Sequence, residues 1–468
     1  MTTVPATRGG RHGRGDAALW RGIAGLAGCA AALGLLAARS PLLAIGFAVA
    51  LTFVGFVLAD VTTGFLLFTF VAFLEVIPGV GGGLSFAKVA GLTLLLSWLA
   101  ATTAANARSR SFVSEHPYAT GLIVLFLTWT AASAIWAQDQ GTVFGAFFRY
   151  APNLLLLPIA FTAVRTRRDA TRFGIVFVGA ALISAIYGIA SPAGAAAGDR
   201  LGGAGGDPNI LAMTLVGATA GAAGLALMPG NSKALRAGAG IAAALCVFAT
   251  LGTVSRGGMI SLGVVLVLAA VLSRHGRRSG AIALVVIVAA FSSVYVLTIA
   301  PAYVRDRITH NDGGSGRSDL WKIGWRVVQA DPILGVGAGN FPIVSVHYVL
   351  RPGTITRSDL IVDEQKVAHN IYLEIPAELG IVGLILFLAI TGFALRCGIR
   401  ASRRFAEAGD RDMELLALSI VLGAAGMLTA NVFISQQFNK PLWLLLSIGP
   451  ALLALANAEV ARTKAETA

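Results

Sequence analysis

Charged side chains are scarce in this chain. Asp, Glu, Lys and Arg supply 13% of its 468 residues, against roughly 25% in a soluble globular domain. Apolar residues make up 56% of the chain, and the mean hydropathy is +0.77. A chain of that composition cannot present a polar surface to water, so a soluble protein is excluded and a bilayer is implied. Acidic residues are the scarcer sign, with 23 Asp and Glu against 36 Lys and Arg, a net charge of +13. In a soluble protein that excess would point to nucleic acid. Here the basic residues fall in short clusters between apolar runs, the pattern of topology determinants, and no nucleic-acid partner is expected. Cysteine is nearly absent. Cys29, Cys246 and Cys397 lie in or beside apolar runs, with neither zinc spacing nor a disulfide framework, and read as small packing residues. An internal repeat is absent too, and a secondary transporter, the rival function class, would show one.

Long apolar runs are abundant. A spanning helix needs about 20 apolar residues, and about fourteen runs qualify. They lie near 19–38, 41–59, 61–78, 86–105, 118–137, 143–164, 171–191, 208–228, 234–252, 257–273, 279–300, 370–395, 412–435 and 440–458. Short early runs can merge or re-enter, so the expected fold is an all-α polytopic membrane protein of about 12–14 transmembrane helices. Basic clusters occur at Arg8/Arg11/Arg14/Arg21, Arg108/Arg110, Arg165/Arg167/Arg168/Arg172, Lys233/Arg236, Arg274/Arg277/Arg278, Arg396/Arg400/Arg403/Arg404 and Arg462/Lys464. Strict alternation puts every cluster on one side, which the positive-inside rule makes the cytoplasm, with both termini. The expected organisation is a basic cytoplasmic tail (1–18), an N-terminal membrane bundle (19–300), a long outer loop (301–369), C-terminal membrane helices (370–458) and a second cytoplasmic tail (459–468). The apolar run after the basic N-terminus resembles a signal peptide, but further runs follow at once, so it reads as a retained first span.

The same alternation gathers the distinctive segments on the outer face: GGAGGDPNILA (202–212), TVSRGG (253–258), the loop 301–369 and His369-Asn370. Within the loop, GRSDLWKIGWRVVQADP (316–332) predicts an amphipathic helix capped by Ser318 or Asp319 and ended by Asp331-Pro332. Trp321 and Trp325, one turn apart, suit a helix lying at the membrane surface. The GVGAGN that follows (335–340) has the look of a phosphate loop without its glycine spacing or its strand-then-helix context, and reads as a decoy.

Several polar residues carry two readings each. Arg256, in a short outer turn, is either an interfacial arginine snorkelling to head groups or an anion ligand whose neighbours Gly257-Gly258 admit the ligand to the backbone. Arg317 is either a surface charge near Asp319 or a second ligand for a phosphate group. Arg149 either pairs with Glu75, Glu374 or Glu378 or touches a ligand. Asp207-Pro208-Asn209 is helix-start chemistry or a glycan hydroxyl contact. His369 stands where loop becomes helix, and with an ordinary pKa near ~6.5 it can take a proton at neutral pH, or it is a structural histidine. Asn370, Glu374 and Glu378 follow on one helical stripe that His369 does not share, and Pro376 is expected to bend the helix.

The motifs together carry a resemblance. HNIYLEIPAELGIVG, SRGG, DPNILA and GRSDLW…PILGVGAGNF are similar, in order, to the signature segments of the O-antigen ligase and polymerase superfamily, over about 200–395. The resemblance implies a GT-C-like membrane glycosyltransferase of the bacterial inner membrane in cell-surface polysaccharide (lipopolysaccharide) synthesis. The donor would be a glycan on undecaprenyl or another polyprenyl pyrophosphate. The acceptor would be a glycan, lipid or protein hydroxyl on the outer, periplasmic face, with no metal or other cofactor. Arg256 and Arg317 would hold the donor pyrophosphate and His369 would assist the acceptor in an inverting displacement, with Asn370, Arg149, Asp207, Asn209 and Glu378 as supporting residues. Ligation and polymerisation share this chemistry, and the sequence leaves both open. A secondary transporter and a structural assembly partner are the readings from other classes.

Overall fold

The computed structural model describes residues 38–39, 41–74, 86–103, 111–190, 200–202, 206–272, 316–349 and 366–467. All regular structure among them is helical. The chain divides into two compact units, Met1–Asp60 and Val61–Ala468. The described part of the first unit is essentially one helix, α1 (Pro41–Ala59), whose 19 residues carry no charge.

The second unit contains α2 (Val61–Leu74), α3 (Phe86–Thr103), the single turn α4 (Phe112–Glu115), α5 (Pro117–Ala132), α6 (Gln140–Ala163), α7 (Arg167–Ala190), α8 (Pro208–Leu227), α9 (Lys233–Gly252) and α10 (Arg256–Leu272). It continues through α11 (Arg317–Ala330), α12 (Phe341–Val349), α13 (Ile371–Glu407), α14 (Arg411–Ala430) and α15 (Lys440–Thr467). Eight of these are long and apolar enough to cross a membrane, and α2, α3 and α10 are shorter apolar helices. The chain is therefore an all-α polytopic membrane protein. The runs expected near 19–38 and 279–300 lie outside the described residues, as does Cys29. Cys246 and Cys397 are buried and unpaired.

The helices close on small residues. The most buried are α8 and α14, which pack on each other, while α13 packs on α15 and α15 on α6. A Cβ on Gly423 would stand 2.8 Å from the Gly217 carbonyl oxygen, and a Cβ on Gly224 would overlap Ser419. Lipid offers no hydrophobic drive for helices to associate, so this backbone-to-backbone approach supplies the dispersion contacts that hold them.

The two ends of the bundle differ chemically. At one end the α6–α7, α8–α9 and α13–α14 turns meet: Arg167 pairs with Asp410 at 2.8 Å, and the Gly230 amide donates to Asp412 at 3.1 Å. Arg165, Arg168, Lys233, Arg236, Arg403 and Arg404 cluster in these turns or in the helix ends beside them. The other end is built from the α5–α6 turn, residues 200–207, the α9–α10 turn, residues 316–349, residues 366–370 and the α14–α15 loop 431–439. Every distinctive segment of the sequence that is described falls there.

Two expectations about the loop helix need correction. Gly316, with φ +81°, occupies the N-cap of α11 without a side-chain cap, so neither Ser318 nor Asp319 caps it. Asp319 is instead buried in the first turn and bonded to Lys322 at 3.0 Å. The apolar face of α11 also lies on protein. Leu320, Ile323 and Val327 pack with Phe341, Tyr348, Val349, Ala368 and Ala377, and Gly324 lies against Leu373. Trp325 alone of the two tryptophans is exposed, at 56%.

Candidate active site

The bend in α13 is not at Pro376. It falls four residues later, at Gly380, where φ 66° and ψ −175° interrupt the helix. That conformation is essentially open only to glycine. Into the break fits the α11–α12 segment. The Ile381 amide donates to the Pro332 carbonyl at 2.9 Å, the Val336 amide to Ala377 at 2.9 Å and the Gly337 amide to Glu378 at 2.8 Å. The Trp129 indole donates to the Leu379 carbonyl at 2.9 Å. The glycines of GVGAGN therefore serve this wedge: Gly335, Gly337 and Gly339 all have positive φ, and a Cβ on Gly335 would overlap the Glu378 backbone. Asn340 ties the wedge to the α5–α6 turn, accepting from the Asp139 amide at 2.8 Å and donating to its carbonyl at 3.0 Å.

Against this frame α13 begins. Asn370 is its N-cap and accepts from the Tyr372 amide at 2.9 Å. His369, just before it, has φ 50°. Among the described residues only His369 and Val254 are non-glycine residues with positive φ. Val254 lies two residues before Arg256. A β-branched residue there is a genuine outlier, and each such residue costs about 1–3 kcal/mol. Both strained positions thus adjoin a residue singled out from the sequence.

The His369 Nδ1 is buried without a hydrogen-bond partner. Its pKa is held below the usual 6.5, first by burial, then by the positive charge of Arg317, with Asp207 opposing and Lys366 adding to the fall. The neutral imidazole is accordingly the form present at neutral pH. The same field brings together three segments far apart in sequence: the start of α8, the start of α11 and the start of α13.

Asp207 caps α8 through the Asn209 amide at 2.7 Å, with Pro208 at the first helical position. The Asn209 side-chain oxygen accepts from the Ser255 hydroxyl at 2.8 Å, which fixes the turn that presents Arg256. Arg256 is the first residue of α10, so a helix N-terminus with its positive dipole end also faces this region. The two glycines after it answer to packing: a Cβ on Gly257 would be 2.8 Å from Phe433, and one on Gly258 would be 2.6 Å from Ala212. Phe433 continues to Trp321, ring centroids 6.4 Å apart, one turn beyond Arg317.

Other expected members stand apart. Arg149 is exposed on α6, with its guanidinium 4.3 Å from the centre of the Phe438 ring. It makes no ion pair with Glu374 or Glu378, and Glu75 lies outside the described residues. Glu378 is buried against the wedge, its backbone carbonyl accepting from the Gly337 amide, and its side-chain Oε2 is buried without a hydrogen-bond partner. Glu374 accepts from the Ala368 amide at 2.8 Å, from the Gln437 side chain at 2.8 Å and from the Ser435 hydroxyl. Glu374 thus binds loop residues through its carboxylate, and no described cation pairs with either glutamate. Among the described residues no three of His, Cys, Asp and Glu converge to hold a metal ion.

Two contributors were missed in the sequence. The loop 431–439 links the starts of α10, α11 and α13, through Phe433 beside Gly257 and Trp321, Ser435 and Gln437 on Glu374, and the Asn431 carbonyl on the Ile371 amide at 3.0 Å. Its signal was a run of uncharged polar residues, NVFISQQFN, between two apolar spans. Arg200 is buried and donates to the Thr253 carbonyl at 2.8 Å, bracing the Arg256 turn.

Residues 241–388 match the O-antigen ligase family. This match supports membership of the O-antigen ligase and polymerase superfamily. No curated protein matches the chain. The part that matches the O-antigen ligase family runs from within α9 to within α13 and includes Arg256, Arg317, His369, Asn370, Glu378 and the wedge. Arg149, Asp207 and Asn209 lie outside it; Asn209 reaches it through its bond to Ser255, whereas Arg149 contacts Phe438, which is also outside.

Proposed function

We propose that the protein transfers a glycan from a polyprenyl-pyrophosphate donor to an acceptor hydroxyl, as a ligase of cell-surface polysaccharide synthesis in the bacterial inner membrane. The observation that carries this reading is His369: a strained, half-buried, neutral imidazole in the electrostatic field of Arg317 and Asp207, at the end of the bundle where Arg256 opens α10. Arg256 and Arg317 bind the pyrophosphate and stabilise the charge that develops as it leaves, the electrostatic work that preorganised cations perform best. His369 accepts the proton of the acceptor hydroxyl as that oxygen attacks the anomeric carbon. One carbon–oxygen bond forms while the bond to pyrophosphate breaks, so the anomeric configuration inverts. Asn370 and Asp207 support the site as helix caps, and Asn209 by holding the Arg256 turn.

The basic end of the bundle is assigned to the cytoplasm by the positive-inside rule. The site then opens on the outer face, where lipid-linked glycans are displayed. Purified protein given a defined lipid-pyrophosphate glycan and competing acceptors tests the reading. Transfer to a non-donor lipid or protein acceptor identifies a ligase, and transfer to a second donor glycan identifies a polymerase. His369→Ala and Arg256→Ala are expected to insert normally and to transfer no glycan, and wild-type transfer by either overturns the assignment. A cysteine introduced at Lys322 should label from outside the intact cell, and labelling only after permeabilisation reverses the orientation.

A further inference from the structure

We propose that Glu374 is the positioning residue for His369, holding the imidazole in place by the geometry of its carboxylate and not by its charge. The inference rests on the reading of His369 as the proton acceptor.

His369 is suspended between two anchors. On its N-terminal side the Ala368 amide donates to Glu374 Oε2 at 2.8 Å. On its C-terminal side, one residue beyond Asn370, the Ile371 amide donates to the Asn431 carbonyl at 3.0 Å. Both anchors lead to the loop 431–439, because the Glu374 carboxylate also accepts from Ser435 and, through Oε1, from Gln437 at 2.8 Å. Gln437 is tied to the core in turn. Its carbonyl accepts from the indole of Trp443 at 2.7 Å, and Trp443 is 1% exposed. A left-handed backbone at a non-glycine residue persists only where its surroundings over-determine it, and these are the surroundings.

The chemistry of the brace is unusual. Glu374 is 2% exposed, and the three groups in contact with it are neutral donors. Burying a carboxylate without a cation is costly. What the carboxylate provides is two acceptor oxygens at a fixed spacing, one for the Ala368 and Ser435 donors and one for Gln437. Glutamine has the same shape. Its carbonyl oxygen can serve Ala368 and Ser435, while its amide nitrogen faces Gln437. The Gln437 side-chain oxygen is buried without a partner, so a flip of that amide turns the pair into donor and acceptor again. Aspartate keeps the charge but is one carbon shorter, and cannot reach both anchors from the same backbone.

The test compares Glu374→Gln, Glu374→Asp and Glu374→Ala with His369→Ala in the purified transfer assay, after each is shown to be monodisperse in detergent. Glu374→Gln is expected to keep kcat within about threefold of wild type. Glu374→Asp and Glu374→Ala are expected to lose about a hundredfold in kcat, the scale of a 1 Å misplacement of a catalytic group, with KM for the donor unchanged. In Glu374→Asp the acid limb of the residual rate should also move up toward the ordinary histidine value, as the imidazole turns toward water. The order Glu374→Asp above Glu374→Gln would show that the charge matters and overturn the proposal, even if Glu374→Ala fails to fold. Full activity in Glu374→Asp together with an inactive His369→Ala sinks the positioning role alone. An active His369→Ala sinks the functional reading beneath it.

Discussion

Replacing Gly380 by alanine should unseat the wedge and leave the rest of α13 intact. Gly380 has φ 66° and ψ −175°, where a residue with a Cβ is strained by about 1–3 kcal/mol. The added Cβ would also overlap the Ile333 carbonyl, which is backbone and cannot rotate away. The α11–α12 segment must therefore withdraw, with its hydrogen bonds from Ile381 to Pro332, Val336 to Ala377 and Gly337 to Glu378. At about 0.5–1.5 kcal/mol each, those bonds bring the combined cost to about 3–7 kcal/mol. Amide hydrogen exchange on the detergent-solubilised protein reads this directly, because local opening sets the protection of these three amides. A loss of 3 kcal/mol is roughly a hundredfold lower protection, at about 1.4 kcal/mol per factor of ten. Gly392→Ala is the control: it lies on the same helix with nothing within 4 Å of an added Cβ, and should be neutral or slightly stabilising. If Gly380→Ala and Gly392→Ala show the same protection at Val336, Gly337 and Ile381, the wedge is not what holds α11 and α12 against the site.

Further predictions concern pH and the wedge's anchor. The His369 pKa lies below 6.5, so if the neutral imidazole is the active form the rate should fall only as the pH drops below that value. Lys366→Gln removes a cause of the depression and should move the acid limb up, while Asp207→Asn, which keeps a capping side chain, should move it down; limbs that stay put under both changes refute the electrostatic assignment. The same depression means the fold binds fewer protons than the unfolded chain just below pH 6.5, so this group's contribution makes stability decline as pH falls through that window. Asn340→Ala removes both hydrogen bonds that the buried Asn340 side chain makes to the exposed Asp139 backbone and should cost about 1–3 kcal/mol in equilibrium unfolding, at about 0.5–1.5 kcal/mol per bond. A change within about 0.5 kcal/mol, the range of an ordinary surface substitution, would refute the anchoring role.

Much of the architecture was legible in the chain. Each expected apolar run that is described coincides with a helix, because spanning length and the absence of charge are local properties of the run. The basic clusters marked one end of the bundle for the same reason. Helix starts were legible where the capping residue acts on its own first turn, as at Asp207 and Asn370. They were not legible at α11, where Gly316 in a left-handed conformation takes the place expected of Ser318 or Asp319. The resemblance carried by four short motifs also named residues that the structure brings to one end of the bundle.

What the tertiary structure alone decided depends on partners far apart in sequence. Pro376 is the usual suspect for a bend, yet the helix breaks at Gly380, because that is where the segment from Pro332 to Asn340 inserts. The glycines of 335–340 looked like a ligand loop and serve a backbone-to-backbone contact. Arg149 shares an expected outer helix end with Glu75, Glu374 and Glu378, but folding sets it on the Phe438 ring. The two buried glutamates of α13 looked like ion-pair or helix-packing residues; Glu374 proves to bind loop residues with its carboxylate, and Glu378 meets the wedge through its backbone carbonyl. Composition and spacing report how one helix meets lipid or water. They carry no record of which donors will stand opposite a given carboxylate, as Ser435 and Gln437 do opposite Glu374, since that is settled only when separate segments pack together and leave each buried polar group to find the partner the packing supplies.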